Sequence, residues 1–306
     1  MGYIDNGKWI DKWYDTKKSK GAFKRESSQF RHSISTTHPQ FKPEKNRYHL
    51  YVSHACPWAH RTLIFRKLKQ LENIISVSVV HPLMKENGWA FSKDYPDHLF
   101  NFPYLYRIYS LAKKEYVGRV TVPILFDKKT NQIVNNESAE IIRIFNSEFN
   151  VLTANKLDFY PDHLRDKIND INDIIYHNVN NGVYKCGFST DQNIYEIALK
   201  NLFDCLDSLE KRLSNTLYLV GNQLTEADWR LFTTLIRFDS VYVGHFKCNL
   251  KQIRQYPNLY KYLKRLVNYP GIKDTIFMDD IKSHYYESHD MINPTGIVPV
   301  GPELDF

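Results

Sequence analysis

Cysteine is scarce in this sequence: four residues in 306, Cys56, Cys186, Cys205 and Cys248, at irregular spacings. That excludes the disulfide framework of a small secreted domain and fits a reducing compartment. Nor is there a Cys-x-x-Cys pair, because the residue three beyond Cys56 is Ala59. Redox chemistry at Cys56 would therefore have to take its second thiol from outside the chain. Long apolar runs are missing as well, and none approaches the ~20 residues of a membrane-spanning helix. The first twenty residues carry Asp5, Lys8, Asp11, Lys12 and Asp15 and no apolar segment of the secretory kind. Met1-Gly2 begins like a myristoylation site, but Asn6 stands where that pattern needs Ser or Thr. The expectation is a cytoplasmic protein with no membrane partner. Dense runs of one charge are also lacking: 41 basic and 34 acidic residues, a net charge of +7, are scattered along the chain. With no RNP, zinc-finger or helix-turn-helix pattern, this excess implies solubility and mild attraction for anionic ligands, not nucleic-acid binding. A balance of 42% apolar and 25% charged residues over this length suits a globular protein of two domains.

What is present centres on Tyr48-His49-Leu50-Tyr51-Val52-Ser53-His54-Ala55-Cys56-Pro57-Trp58-Ala59-His60-Arg61-Thr62, a β-type run that turns into a helix. Proline is favoured at the first helical position, where its missing N–H costs nothing, so Cys56 falls at the N-cap with its sulfur facing unpaired backbone N–H groups. Such a position lowers a thiol's pKa from about 8.5 into the range of roughly 3.5–7.5. The plainer reading of a single cysteine is a buried, inert side chain. A zinc site from His54, Cys56 and His60 matches no usual ligand spacing, and no metal is expected.

The motif Cys56-Pro57-Trp58-Ala59-His60-Arg61-Thr62 resembles that of the glutathionyl-hydroquinone reductases, the xi class of the glutathione transferase superfamily, related to the omega class. Further matches occur in order at Asn87-Gly88-Trp89, Gly118-Arg119-Val120-Thr121-Val122-Pro123, Asn136-Glu137-Ser138, Asn181-Gly182-Val183-Tyr184, Phe238 to Lys247, and the tail from His284 to Pro302. The resemblance implies a glutathione transferase architecture, an α/β thioredoxin-like N-terminal domain followed by an all-α helical C-terminal domain. It implies glutathione as co-substrate and a homodimer formed through the helical domain.

The residue pattern is compatible with that architecture. Tyr48–Val52 reads as a strand, Pro57 to about Leu71 as a helix and Ile74 to Val80 as a second strand, a βαβ unit. Thr121–Phe126, a turn over 127–131, Gln132–Val134 and a helix from Glu137 to about Phe145 supply the remaining ββα. Residues 1–46 read as an extended arm anchored by Phe23, Phe30 and Ile34. The thioredoxin-like domain spans 47–150, with an insertion over 81–119 too long for an ordinary connection. After a linker over 151–162, the spacing Leu164-Ile168-Ile171-Ile175 and Tyr195-Leu199-Leu202-Leu206-Leu209 is helical, giving a domain over 163–306. Thr225 and Asp228 form a capping box whose role is folding.

Glu137-Ser138 opens a helix, where free N–H groups favour an anion, although plain capping explains the pair equally well. The resemblance implies that Trp89, Arg119, Val120, Thr121, Val122, Glu137 and Ser138 bind glutathione, with a cis Val122–Pro123 bond beside its backbone. It implies that Cys56 is the nucleophile, Tyr184 the proton donor, and Tyr242 and Tyr285 neighbours that lower the thiolate's pKa. The reaction implied is reduction of a glutathionylated hydroquinone through a Cys56–glutathione mixed disulfide, releasing hydroquinone and oxidised glutathione. An omega-type thioltransferase or dehydroascorbate reductase, and a non-catalytic glutathione-binding protein, remain alternatives. Cys186, two residues past Tyr184, reads as a small buried side chain, or as a thiol able to trap Cys56 under oxidation.

Overall fold

The computed structural model describes residues 2–305, which divide into two compact units. The first holds the chain up to Trp13, residues 26–157 and the segment Asp274–Ser288; the second holds Tyr14–Arg25, Asp158–Lys273 and the tail from His289.

In the first unit, Tyr48–Val52 is buried at every residue, as a strand covered on both faces must be. It runs parallel to Ser76–Val79 and antiparallel to Ile124–Asp127, which pairs in turn with Gln132–Asn135. The helices Pro57–Leu68 and Ser138–Ser147 pack against each other and complete the thioredoxin-type order. Element ends are tighter than their apolar patterns suggest. The first helix stops at Leu68, with Arg66 and Lys67 in its last turn and Gln70 in the left-handed region at φ 56°. The strand expected from Thr121 begins only at Ile124, since Pro123 has no N–H to give to a ladder. The turn after that strand is held by a buried ion pair: Arg47 donates through Nε at 2.9 Å and Nη2 at 2.7 Å to the two oxygens of Asp127. Lys129 N and Thr130 Oγ1 also donate to this carboxylate, so both its charge and its lone pairs are met.

The arm is more ordered than an extended strap. Tyr3–Asp5 and Lys8–Ile10 form a hairpin around Asn6-Gly7, whose φ values of 48° and 76° belong to the primed turn that Asn-Gly favours. This hairpin adds Gly118–Arg119 as a third strand. Further on, Phe30 and His32 exchange backbone hydrogen bonds with Asn136 and Val134 beside the main sheet. Phe23 and Ile34 are buried as expected, and Phe41 joins them. Within the insertion, the buried Asp97 accepts from Tyr51 Oη and from the N–H groups of Leu99 and Phe102, which organises the loop.

The second unit is helical: Arg165–Ile175, Gly182–Gly187, Gln192–Leu213, Glu226–Arg237 and Pro257–Val267. All twelve residues of Glu226–Arg237 are buried, which makes it the unit's core helix. Its capping box forms as the sequence indicates, with Thr225 and Asp228 capping each other reciprocally. Two π-turns interrupt the helices, Tyr176–Asn180 and Phe238–Tyr242. Among the described residues no helix is long and apolar enough to cross a membrane.

Candidate active site

Cys56 is the N-cap residue of Pro57–Leu68, extended at φ −76° and ψ 120°, with Pro57 at the first helical position. It is partly exposed, whereas Cys186, Cys205 and Cys248 are buried. The side chain makes no capping hydrogen bond to the helix; its sulfur lies 3.7 Å from the carbonyl oxygen of Val122. The extended backbone of Cys56 brings it to the loop carbonyl instead, just before the Val122–Pro123 bond, which is cis as expected.

In the same unit, Glu137 caps the helix that Ser138 begins, accepting from Ala139 N at 3.2 Å through one oxygen and from Ser28 Oγ at 3.1 Å through the other. Ser138 is buried, and Arg61 Nη1 approaches its hydroxyl at 3.5 Å. Val120 and Val122 are buried, and the carbonyl of Thr121 accepts from Tyr109 Oη at 2.9 Å. Trp89 stacks on His284 at 4.9 Å. Tyr285, from the helix Met278–Ser288, is also buried in this unit.

Two histidines near Cys56 are tied to the same distant segment. His54 Nδ1 lies 2.7 Å from Asp280 Oδ2, and Tyr95 Oη donates to Asp280 Oδ1 at 2.8 Å. Burial pushes the Asp280 carboxyl up, but the hydrogen bonds from His54 and Tyr95 leave it below its ordinary value. His60 Nε2 meets Thr275 Oγ1 at 2.9 Å. Among the described residues no group of three or more His, Cys, Asp or Glu side chains has the arrangement of a metal site.

In the second unit, Tyr184 is partly exposed on Gly182–Gly187, while Tyr242 ends a π-turn and is fully buried. Their rings lie 6.3 Å apart and share Phe246, which stands edge-on to Tyr184 at 5.5 Å and stacked on Tyr242 at 5.4 Å. The N-terminal strap Tyr14–Arg25 belongs to this cluster. Phe23 lies 6.2 Å from the Tyr184 ring and the Arg25 guanidinium 5.2 Å from it. Read from the sequence, this segment has only the packing role of its anchor Phe23, because Gly21-Ala22-Phe23-Lys24-Arg25 carries no recognisable chemistry on its own.

Comparisons with known proteins cover the chain from end to end. The glutathione S-transferase N-terminal domain family matches residues 55–148, from the residue before Cys56 onward, and the glutathione S-transferase C-terminal domain family matches 192–265. The glutathionyl-hydroquinone reductase YqjG of Escherichia coli K12 is 53% identical over 316 aligned residues, covering 100% of this chain and 96% of its own. The chain belongs to the xi-class glutathione transferases, the glutathionyl-hydroquinone reductases.

Other members of the class agree. The glutathionyl-hydroquinone reductase PcpF of Sphingobium chlorophenolicum is 51% identical, covering 99% of this chain and 96% of its own. The glutathione-bound structure of YqjG superposes with a TM-score of 0.88 over 90% of this chain and 94% of that one, at 52% identity. The glutathione S-transferase Xi of Phanerochaete chrysosporium gives 0.90 at 53% identity, over 93% and 94%.

Two residues of this xi-class chain, Arg119 and Cys186, have partners within the chain that bear on their expected roles, and Cys186 is the small buried side chain that the sequence suggests. Arg119, expected to meet glutathione, is buried and turned to the arm: it donates to the backbone carbonyls of Lys12 and Trp13, the latter at 3.1 Å, and pairs with Glu26 at 3.4 Å. Cys186, considered as a trap for Cys56, has a hydrogen bond with Cys248. Burial pushes the Cys248 thiol well up, and that bond adds to it.

Proposed function

We propose that this chain reduces glutathionyl-hydroquinones at the expense of glutathione, as a cytoplasmic homodimer that uses no metal, nucleic acid or membrane. The observation that carries the reading is Cys56 at the mouth of its helix, beside the Val122 carbonyl, in a chain 53% identical from end to end to a glutathionyl-hydroquinone reductase.

In the proposed reaction the Cys56 thiolate attacks the sulfur of the conjugate. A Cys56–glutathione disulfide forms as the bond from sulfur to ring carbon breaks, and its electron pair stays on that carbon. Tyr184 supplies the proton that the carbon takes up, and the hydroquinone leaves. A second glutathione thiolate then attacks the mixed disulfide, releasing oxidised glutathione and restoring the Cys56 thiolate. Two sulfurs, the thioether sulfur of the conjugate and the thiol of the second glutathione, are oxidised to a disulfide and one ring carbon is reduced, so no resolving cysteine is needed.

The backbone of Val120, Thr121 and Val122, the Trp89 ring and the helix start at Glu137-Ser138 are assigned to glutathione. That helix start fits the γ-glutamyl end, whose carboxylate suits the N–H groups and whose ammonium suits Glu137. Tyr242 and Tyr285 are assigned to stabilising the thiolate. Arg119 is assigned to fixing the arm.

The test is turnover of glutathionyl-menadione. Cys56→Ala should abolish it, and retained turnover would remove this nucleophile. A wild-type enzyme faster on a simple glutathione disulfide than on the conjugate would be an omega-type thioltransferase instead.

A further inference from the structure

Residues 14–25 leave the rest of the N-terminal arm and pack with the helical unit. The strap is pinned at Gly21, whose carbonyl accepts from Thr190 N at 3.1 Å and from Ser189 Oγ at 3.3 Å. Gly21 has a φ of 89°, and a Cβ there would stand 2.5 Å from that of Asp191, so the close approach requires glycine. Two residues on, Phe23 is buried against Tyr14, at 4.7 Å, and Phe188, at 5.4 Å. This fixes the course of the chain into Arg25. The Arg25 Nε donates to Asn181 Oδ1 at 3.4 Å, three residues before Tyr184, while its guanidinium carbon lies 5.2 Å from the Tyr184 ring centroid and 5.8 Å from that of Phe23. A cation is thus delivered to the phenol ring by a segment with its own anchor.

We propose that Arg25 is a positioning residue for Tyr184: it holds the phenol ring between strap and helix, and its charge stabilises the phenolate left when Tyr184 gives up its proton. This inference rests on the reading of Tyr184 as proton donor. In that step the O–H bond of Tyr184 breaks as the C–H bond on the hydroquinone ring forms, and the negative charge stays on the phenol oxygen until solvent returns a proton. A guanidinium over an aromatic face attracts the neutral ring weakly and the anion strongly, so its effect belongs to proton transfer and not to substrate binding.

The test is a double-mutant cycle in kcat and KM on glutathionyl-menadione. Arg25→Gln should lower kcat about tenfold with KM little changed, a size set by cation–π and charge effects near 1.4 kcal/mol. Arg25→Lys keeps the charge and loses the planar fork to Asn181, and should restore part of that kcat. Tyr184→Phe should lower kcat by about a hundredfold or more, and adding Arg25→Gln to it should cost nothing further. Equal loss from Arg25→Gln in both backgrounds, a loss confined to KM, or no loss at all would overturn the inference while leaving Tyr184 as donor. Unchanged kcat in Tyr184→Phe would overturn the donor reading itself, and this inference with it. Thermal unfolding of each variant shows whether it folds; if Arg25→Gln does not, the cycle is run with Arg25→Met, which also removes the charge, under the same criteria.

Discussion

The sulfur of Cys56 and the carbonyl oxygen of Val122 face each other at 3.7 Å, across the start of the helix that Cys56 caps. A thiol can donate to that carbonyl, whereas a thiolate is repelled by it. Ionisation is thus easier once another donor occupies the carbonyl, and the backbone N–H of an extended tripeptide is such a donor. Binding of S-methylglutathione, which cannot react, should shift the ultraviolet titration of the Cys56 thiolate to lower pH. An unchanged titration would separate ligand binding from thiolate formation.

The four thiols should differ sharply in reactivity. Burial pushes Cys205 up to about 11 and Cys248 well beyond its ordinary value, and Cys186 is buried against Cys248. Only thiolate that reagent can reach is alkylated. Limited iodoacetamide treatment of the native protein at neutral pH, read by peptide mass spectrometry, should label Cys56 well ahead of the other three. Early labelling of Cys205 or Cys248 would contradict this ordering.

Two buried carboxylates should give stability pH dependences of opposite sign. Burial pushes Asp228 up to about 6, so the folded state holds its proton more tightly than the unfolded chain. Its contribution is fully present below the unfolded value near 4 and falls as pH rises through about 6. Asp127 is the reverse. Burial raises it, but Arg47 and the turn donors outweigh that and hold it below its ordinary value, so its contribution is lost as pH falls. Asp228 accepts from Leu219 N, Thr225 N, Thr225 Oγ1 and Tyr262 Oη, and an amide sets an N–H group against one of these donors. Asp228→Asn should therefore cost about 2–4 kcal/mol. Urea unfolding should show that cost shrinking from about pH 5 to about pH 7, because only the wild-type side chain titrates.

Arg119 should act on the arm first. Its donors meet the carbonyls of Lys12 and Trp13, and Arg119→Gln removes a buried charged fork from them. Trypsin should then cleave after Lys8 and Lys12 several times faster, with the melting temperature of the remaining protein little changed. Wild-type cleavage rates together with a raised KM for glutathione would return Arg119 to the ligand.

How far the sequence reaches is visible in these same residues. Tyr48–Val52, the Pro57 helix start and the Thr225–Asp228 capping box are local signals, and each forms where its residues indicate. The Asn6-Gly7 hairpin is equally local, but the polar composition of the arm masks it. The pairing of His54 with Asp280, the turning of Arg119 toward Lys12 and the placement of Arg25 on Tyr184 join residues 226, 107 and 159 positions apart, and no periodicity encodes such contacts. The resemblance named Tyr184 but gave no sign that its ring is held by a segment near the N-terminus.

The most direct measurement is the mass of the intact protein after a single turnover of glutathionyl-menadione without added glutathione. The account predicts one glutathionyl group, mapped by peptide analysis to Cys56, with one hydroquinone released per site and the adduct removed when glutathione is added. Hydroquinone release with no adduct on Cys56, or an adduct on another cysteine, would contradict it.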